Sequence, residues 1–368
     1  MKLLIILLIT ALSILPLYAE KEGSPYSYLG ITDENFPIID GSDSTTPLRR
    51  IMAFRILGYD YIWKFEGFRH PNDDIKVVRL TPYSEGEEIF KKLYSSNTHS
   101  SFLNLIDGRV ELIITARSIS RDERVYANEK GVALTEKPIA KDALAFLVNP
   151  ANPVNNLTTA QIQGIYTGAI TNWEEVGGLD AEIVPYVRNS NSGSQEKFET
   201  TIMAGLTIKQ CPVFYVGFDM LSPYRQIEGD TMGIAFSPFY YFSVIVGRES
   251  TKAIGVDGVS MTKDNIINET YPYITDVYAA VRSDVDKAST AYTLFEFLTT
   301  PAGQSIVAES GYVPISNTVG INNLKGRPTS TYYTDLQGMV YDEAPPGVSV
   351  KTDVYENGKK TSKKILDR

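Results

Sequence analysis

Cysteine is almost absent from this chain: Cys211 is the only one in 368 residues. No intramolecular disulfide can form, so an ordinary hydrophobic core must hold the fold, without the cross-links that staple small secreted domains. The two histidines, His70 and His99, are too few and too far apart for a zinc site, and no cofactor is expected. Positive charge is also scarce. Lys and Arg number 35 against 44 Asp and Glu, a formal charge of −9. No basic stripe with interleaved aromatics offsets it, and such a surface repels nucleic acid and anionic lipid. An anionic ligand would have to be gripped by local dipoles, because the net charge cannot attract it. No Gly-x-Ser-x-Gly elbow or orienting acid accompanies a serine–histidine pair, which argues against a hydrolase and against an enzyme.

Long apolar runs are missing too. The opening "MKLLIILLITALSILPLYAE" is largely apolar from Leu3 to Leu17 and interrupted by Pro16, short of the ~20 residues a spanning helix needs. It reads as a secretory signal peptide cleaved near Ala19, with export to the periplasm or the medium. No cysteine near position 19 offers a site for a lipid anchor. Removing residues 1–19 takes away Lys2, their only charged residue, and −9 − 1 gives −10 for what remains. Subtracting 19 from 368 leaves 349 residues, enough for two domains or one large split one.

What is present alternates. "VELIITA" from Val110, "ALAFLVN" from Ala143, "IVPYV" from Ile183 and "VYAAV" from Val277 are short, nearly continuous apolar runs, which predict buried strands of a parallel sheet. Helical patterns lie between them. "PLRRIMAFRIL" from Pro47 repeats its apolar residues at three and four. "TTAQIQGIYTG" from Thr158 pairs Thr158 with Gln161 as a capping box and stops at Gly168. "TAYTLFEFLTTPAGQSIVAESG" predicts two short helices, divided at Pro301 and closed at Gly311. Strands alternating with helices mean α/β. From Leu324 the chain turns polar and rich in Tyr and Lys, and Asn357-Gly358 is a hairpin signal. That predicts a small β appendage with a frayed "KKTSKKILDR" end.

The chemistry concentrates in "RNSNSGSQEKFE" from Arg188. The strand before it delivers Arg188 to its carboxyl end, where open α/β sheets bind ligands. Ser192 and Gln195 have capping-box spacing, which opens a helix whose first amides, those of Gly193, Ser194 and Gln195, point outward. Gly193 lets a ligand approach the backbone, Arg188 supplies a bidentate fork, and Ser192 and Ser194 add hydroxyls. Donors, a positive helix end and a planar cation make an oxyanion site. A second hydroxyl-rich loop, "DGSDSTTPLRR" from Asp40, ends in a helix with Thr46 as the expected N-cap and Pro47 at its first position. Ser44, Thr45 and Thr46 would serve the same ligand from the other side of a cleft.

These motifs, with "NPVNNLTTAQIQGIYTGAITNWEEVGG" from Asn152, "GIAFSPFYY" from Gly233, "NETYPYITDVY" from Asn268 and "FLTTPAGQSIVAESGYVPI" from Phe297, resemble the PstS family of phosphate-binding receptors of ABC transporters. The resemblance covers roughly residues 35 to 318. It implies a two-lobed type II periplasmic-binding fold with discontinuous lobes, residues 24–138 with 273–320 and residues 139–272, plus the C-terminal appendage over 321–368. It implies inorganic phosphate as ligand, an ABC permease in the inner membrane as partner, and Arg188, Ser192, Gly193 and Ser194 as phosphate-binding residues. In "SNTHSSFLNLIDG" from Ser96, Thr98 is picked as a further donor. The chain departs from the family after the strand at Val110. Many members have there an Asp that accepts the proton of hydrogen phosphate, whereas Thr115-Ala116-Arg117 stands here. Arg117 is expected to add a donor, and Asp43 or a neutral His99 could accept the proton. Another tetrahedral oxyanion such as sulfate or molybdate, or a scaffold that only keeps the fold, therefore stays open.

Overall fold

The computed structural model describes residues 24–67, 76–82, 87–190, 192–246, 250–315, 330–335, 340–341, 347–354 and 360–367, with side chains given between 24 and 61 and between 88 and 315. The leader over residues 1–19, His70 and the Asn357-Gly358 turn fall outside the described residues. The chain divides into two units, Met1–Ser316 and Asn317–Arg368.

In chain order the first unit begins with β1 (Ile39–Gly41), α1 (Thr46–Leu57), an antiparallel pair β2 (Tyr61–Gly67) and β3 (Lys76–Pro82), α2 (Thr98–Ile106), β4 (Leu112–Thr115), α3 (Arg121–Glu129) and a long β5 (Leu134–Val148). Next come β6 (Asn156–Leu157), α4 (Thr159–Thr167), β7 (Val184–Pro185), β8 (Val187–Arg188), α5 (Gly193–Lys197), β9 (Val216–Gly217) and α6 (Ser222–Gly229). It closes with β10 (Gly233–Pro238), β11 (Lys252–Val256), α7 (Lys263–Ile267), β12 (Ile274–Arg282), α8 (Thr290–Phe297), α9 (Pro301–Ser310) and β13 (Val313–Pro314).

β5 is the spine of this unit. Along its earlier residues it pairs with β12 and β13, and β12 leads on to β4 and β1; its last residues pair with β10 and β11. The path β1-β4-β12-β5-β10-β7 is one mixed sheet, which corrects the parallel sheet expected from the apolar runs. Within this sheet only the outer pairs β1–β4, β7–β10 and β6–β11 run parallel, because β12 and β5 lie between them and oppose every strand they touch. A strand covered on both faces reads as continuously apolar whichever way it runs, and β5 is buried throughout from Ala143 to Val148.

The helix punctuation acts through local geometry. Thr158 and Gln161 form the capping box of α4, and Gly168 ends it at φ 81°. Thr300 caps α9 with Pro301 in its first turn, and Gly311 closes it at φ 100°. "IVPYV" is split at Tyr186 into β7, which pairs with β10, and β8, which pairs with β9. The core runs from Leu48, Ile51 and Met52 of α1 through Phe146 of β5 to Phe198 and Phe236, whose rings stack at 4.5 Å. Trp173 is fully buried and its Nε1 donates to Met232 O at 2.9 Å, pinning the turn after α4.

The second unit holds β14 (Ser330–Asp335), β15 (Val340–Tyr341), β16 (Gly347–Val354) and β17 (Lys360–Asp367) in the order β15-β14-β16-β17, each pair antiparallel. The end expected to fray is instead β17, paired with β16 from Asp367 opposite Gly347 to Lys360 opposite Val354. That ladder gives the polar backbone of "KTSKKILD" its partners, which side-chain composition alone did not indicate.

Candidate oxyanion site

The first wall of the site grows out of β1. After Gly41 the chain makes a tight turn over Asp43–Thr45 and enters α1. Thr45 N–H is the first amide of the turn to find a backbone acceptor, Ser42 O at 3.0 Å, so the N–H groups of Asp43 and Ser44 precede the bonded ladder and face outward as helix-start donors. Beneath the turn lies Arg49, buried to 1%. It donates to Ser42 O (2.9 Å), Thr46 Oγ1 (3.1 Å), Tyr94 O (2.8 Å), Ser95 Oγ (3.2 Å) and Thr45 Oγ1. Burial pulls its pKa down to about 10 against the nearby charges of Asp40 and Asp43. Asp40, also fully buried, accepts from Gly41 N–H (2.7 Å), Ser96 N–H (3.0 Å) and Asn104 Nδ2 (2.8 Å). Together Arg49 and Asp40 stitch the 42–46 turn to the 94–98 loop.

That loop starts α2. Asn97 takes φ 63°, a backbone state in which Asn is several-fold enriched over most residues, and its side chain caps Ser100 N–H at 3.0 Å. Thr98, buried, shares a hydrogen bond with Ser42 at 2.7 Å between hydroxyl oxygens, and Ser42 Oγ also accepts Ala116 N–H at 2.9 Å. Helix start, turn and strand end are thereby fixed to one another.

The opposite wall is α5. β8 brings in Arg188, whose own N–H donates to Gln195 Oε1 at 2.8 Å. Gln195 is therefore taken, and the expected Ser192–Gln195 capping box does not form: Ser192 stands at the N-cap without a side-chain bond. The first helical bond is Glu196 N–H to Ser192 O at 3.1 Å, leaving the amides of Gly193, Ser194 and Gln195 at the open end. A Cβ placed on Gly193 would stand 2.6 Å from Thr98 Oγ1, so the starts of α2 and α5 meet at a distance only glycine permits. Arg188 is 6% exposed. Its Nε donates to Gly217 O at 3.2 Å and its Nη1 lies 3.7 Å from Met220 Sδ, and among the described residues no carboxylate pairs with it. Burial lowers its pKa, partly opposed by the charges of Asp219 and Asp43. A guanidinium has five donors, and most of this one's fork is left to the cavity.

These walls enclose a polar cavity of about 120 Å³. That is the scale of one small oxyanion with a few waters, since a single water needs about 10–15 Å³ on this measure. Three helix starts, those of α1, α2 and α5, converge on it with Arg188, and each contributes roughly half a positive charge. Of the residues expected from sequence, Ser44, Thr98, Arg188, Ser192, Gly193 and Ser194 line it. Thr45, Thr46 and Arg117 do not. The Thr45 hydroxyl donates to Ile114 O at 2.7 Å and is fully buried; Thr46 follows Thr45 into the helix, and its hydroxyl faces Ser95 at 2.8 Å. Arg117 spends its fork on Glu123, Nη1 to Oε2 and Nη2 to Oε1 both at 2.8 Å, and also pairs with Glu196. His99 is turned to Glu123 at 3.0 Å and does not line the cavity, so of the two suggested proton acceptors only Asp43 does. Sequence reasoning missed Ser42, Asn97, Asn189, Phe218 and Met220. Ser42 and Asn189 stood inside the two quoted loops and were the legible ones. Among the described residues no group of His, Cys, Asp and Glu is arranged to hold a metal, and no helix is long and apolar enough to cross a membrane.

Fold and site together define an α/β binding protein with a polar, cation-bearing cleft. Residues 77–302, 226 of the 368, match the family model described as a PBP superfamily domain, and the chain belongs to that superfamily. Among curated relatives it is 26% identical over 259 residues to protein SphX of Synechococcus elongatus, covering 65% of this chain and 74% of that one. It is 27% identical over 199 residues to the phosphate-binding protein PstS of Bacillus subtilis, covering 52% and 63%. A solved structure of a phosphate ABC transporter substrate-binding protein from Clostridium perfringens, with phosphate bound, matches at 25% identity and a TM-score of 0.54, covering 76% and 98%. The architecture is the two-lobed type II periplasmic-binding fold, and β5 pairs with β12 and β13 toward one end of the sheet and with β10 and β11 toward the other.

Proposed function

We propose that the protein is an extracytoplasmic receptor that takes inorganic phosphate into this cleft, without chemical change, and hands it to an ABC permease in the inner membrane. The observation that carries this is Arg188: a buried cation with no acidic partner among the described residues, aimed into a cavity ringed by helix starts, lacks only an anion. The relatives named as phosphate-binding, and the neighbour with phosphate bound, support the same ligand. Fixed donors replace the water stripped from a dianion, and Arg188 compensates its charge. Ser44, Thr98, Arg188, Ser192, Gly193 and Ser194 are the proposed ligand-holding residues, and Asp43 the acceptor of the ligand's proton. The lobes would comprise residues 24–138 with 273–320 and residues 139–272, and residues 1–19 would be removed on export.

A receptor for sulfate or molybdate is the second reading, favoured by one observation: no carboxylate follows β4, where Ala116 lines the cavity. Calorimetric titration with phosphate, sulfate and molybdate across pH 5 to 8 tests both. Phosphate binding at least tenfold tighter than sulfate supports the first reading, and the reverse order overturns it. Native mass spectrometry of the purified protein would reveal a retained anion by its mass.

A further inference from the structure

We infer that Arg117 and Glu196 form a latch across the cleft, touching no ligand, that sets how long a bound anion stays. This rests on the cleft being the anion site. Arg117 follows β4 in one of the proposed lobes, and Glu196 lies on α5 in the other, two residues after Ser194, which lines the cavity. The guanidinium is held from behind by Glu123, which is fully buried, through two bonds of 2.8 Å, and its Nη1 donates to Ser118 O at 2.9 Å. Its remaining edge, Nε, pairs with the Glu196 carboxylate as an ion without the alignment of a hydrogen bond. The ring of Phe102 lies under it at 5.5 Å.

Arg117 is thus ordered before the lobes meet, so its pairing with Glu196 costs less side-chain entropy than an ordinary surface pair. The pair is also sheltered: the Arg117 side chain is 10% exposed and that of Glu196 27%. Glu196 sits on the same rigid turn as the Gly193 and Ser194 amides, so fixing it fixes those donors against the start of α2. A purely electrostatic role would have the opposite sign. A carboxylate beside an anion site repels the anion, and neutralising it should then tighten binding.

Glu196→Gln keeps shape and removes the charge, and it leaves the Arg117–Glu123 pair intact. In stopped-flow measurements on the full chain, phosphate should leave the variant about two- to fivefold faster with its association rate nearly unchanged, the size of a partly screened ion pair. Equal or slower release overturns the latch. Small-angle scattering of the phosphate-free protein gives a ligand-independent arm: Glu196→Gln should shift the ensemble to a larger radius of gyration, and an unchanged profile overturns the latch. If the wild type binds no phosphate in calorimetry, the proposed ligand fails, and scattering alone decides the latch. An unchanged melting temperature separates a loosened latch from a damaged fold.

Discussion

Arg117 and Arg188 both come in at or just after the end of a strand and both are nearly buried, yet they do opposite things. Arg117 arrives with its acids: "RSISRDE" puts Asp122 and Glu123 within one turn of helix, and Glu123 fills its fork. "RNSNSGSQ" after Arg188 holds no acid at all, and the first that follows, Glu196, goes to Arg117. One guanidinium is therefore a finished structural element and the other an unfinished one. Between these two arginines, the difference lies in the carboxylates that the local chain supplies.

That contrast can be broken or sharpened in order of expected effect. Arg117→Ala should destabilise folding by about 3–5 kcal/mol in urea titration, because Glu123 is left buried and uncompensated. A loss below 1 kcal/mol would mean the pair is not structural. Arg188→Ala should leave stability unchanged or slightly improved, since an unpaired buried cation is removed. It should cost phosphate binding about 3 kcal/mol or more, around a hundredfold, in calorimetry. Unchanged affinity would remove Arg188 from the site. Gly193→Ala drives a methyl group against Thr98 and should weaken binding by about 1–2 kcal/mol through incomplete closure; affinity equal to wild type would show that the two helix starts need not touch. Asp43→Asn should be the smallest. It replaces a proton acceptor with a group that can donate, and about tenfold of the preference for phosphate over sulfate should disappear, some 1.4 kcal/mol. An unaltered ratio in competition titrations would free Asp43 of any role in selection.

Much of this was legible because helix starts announce themselves. Gly193 and Ser194, with Arg188 before them, follow from the motif, and Thr158, Pro301 and the closing glycines act where they stand. Which hydroxyls of "GSDSTT" face the cleft was not legible, because a turn's phase is set by what lies beneath it. Here that is Arg49, which is buried on α1 and claims Thr45 and Thr46 for itself. Gln195 misled for a similar reason. Its spacing from Ser192 fits a capping box, but the Arg188 amide lies closer to hand. The direction of β5 and β12 was hidden as well, since an apolar run carries no sign of the way its neighbours run.

The continuity of β5 also governs how this molecule can move. A strand common to both ends of a sheet leaves no slack linker, so any opening of the proposed lobes would have to be absorbed as elastic twist within β5. The pairing of β5 with β12 already slips once, between Val277 opposite Ala140 and Tyr278 opposite Pro138, where proline brings no amide to the ladder. Compliance is greatest at such an irregularity. If the proposed lobes close on a ligand, that irregular stretch of β5 is where the bending would concentrate.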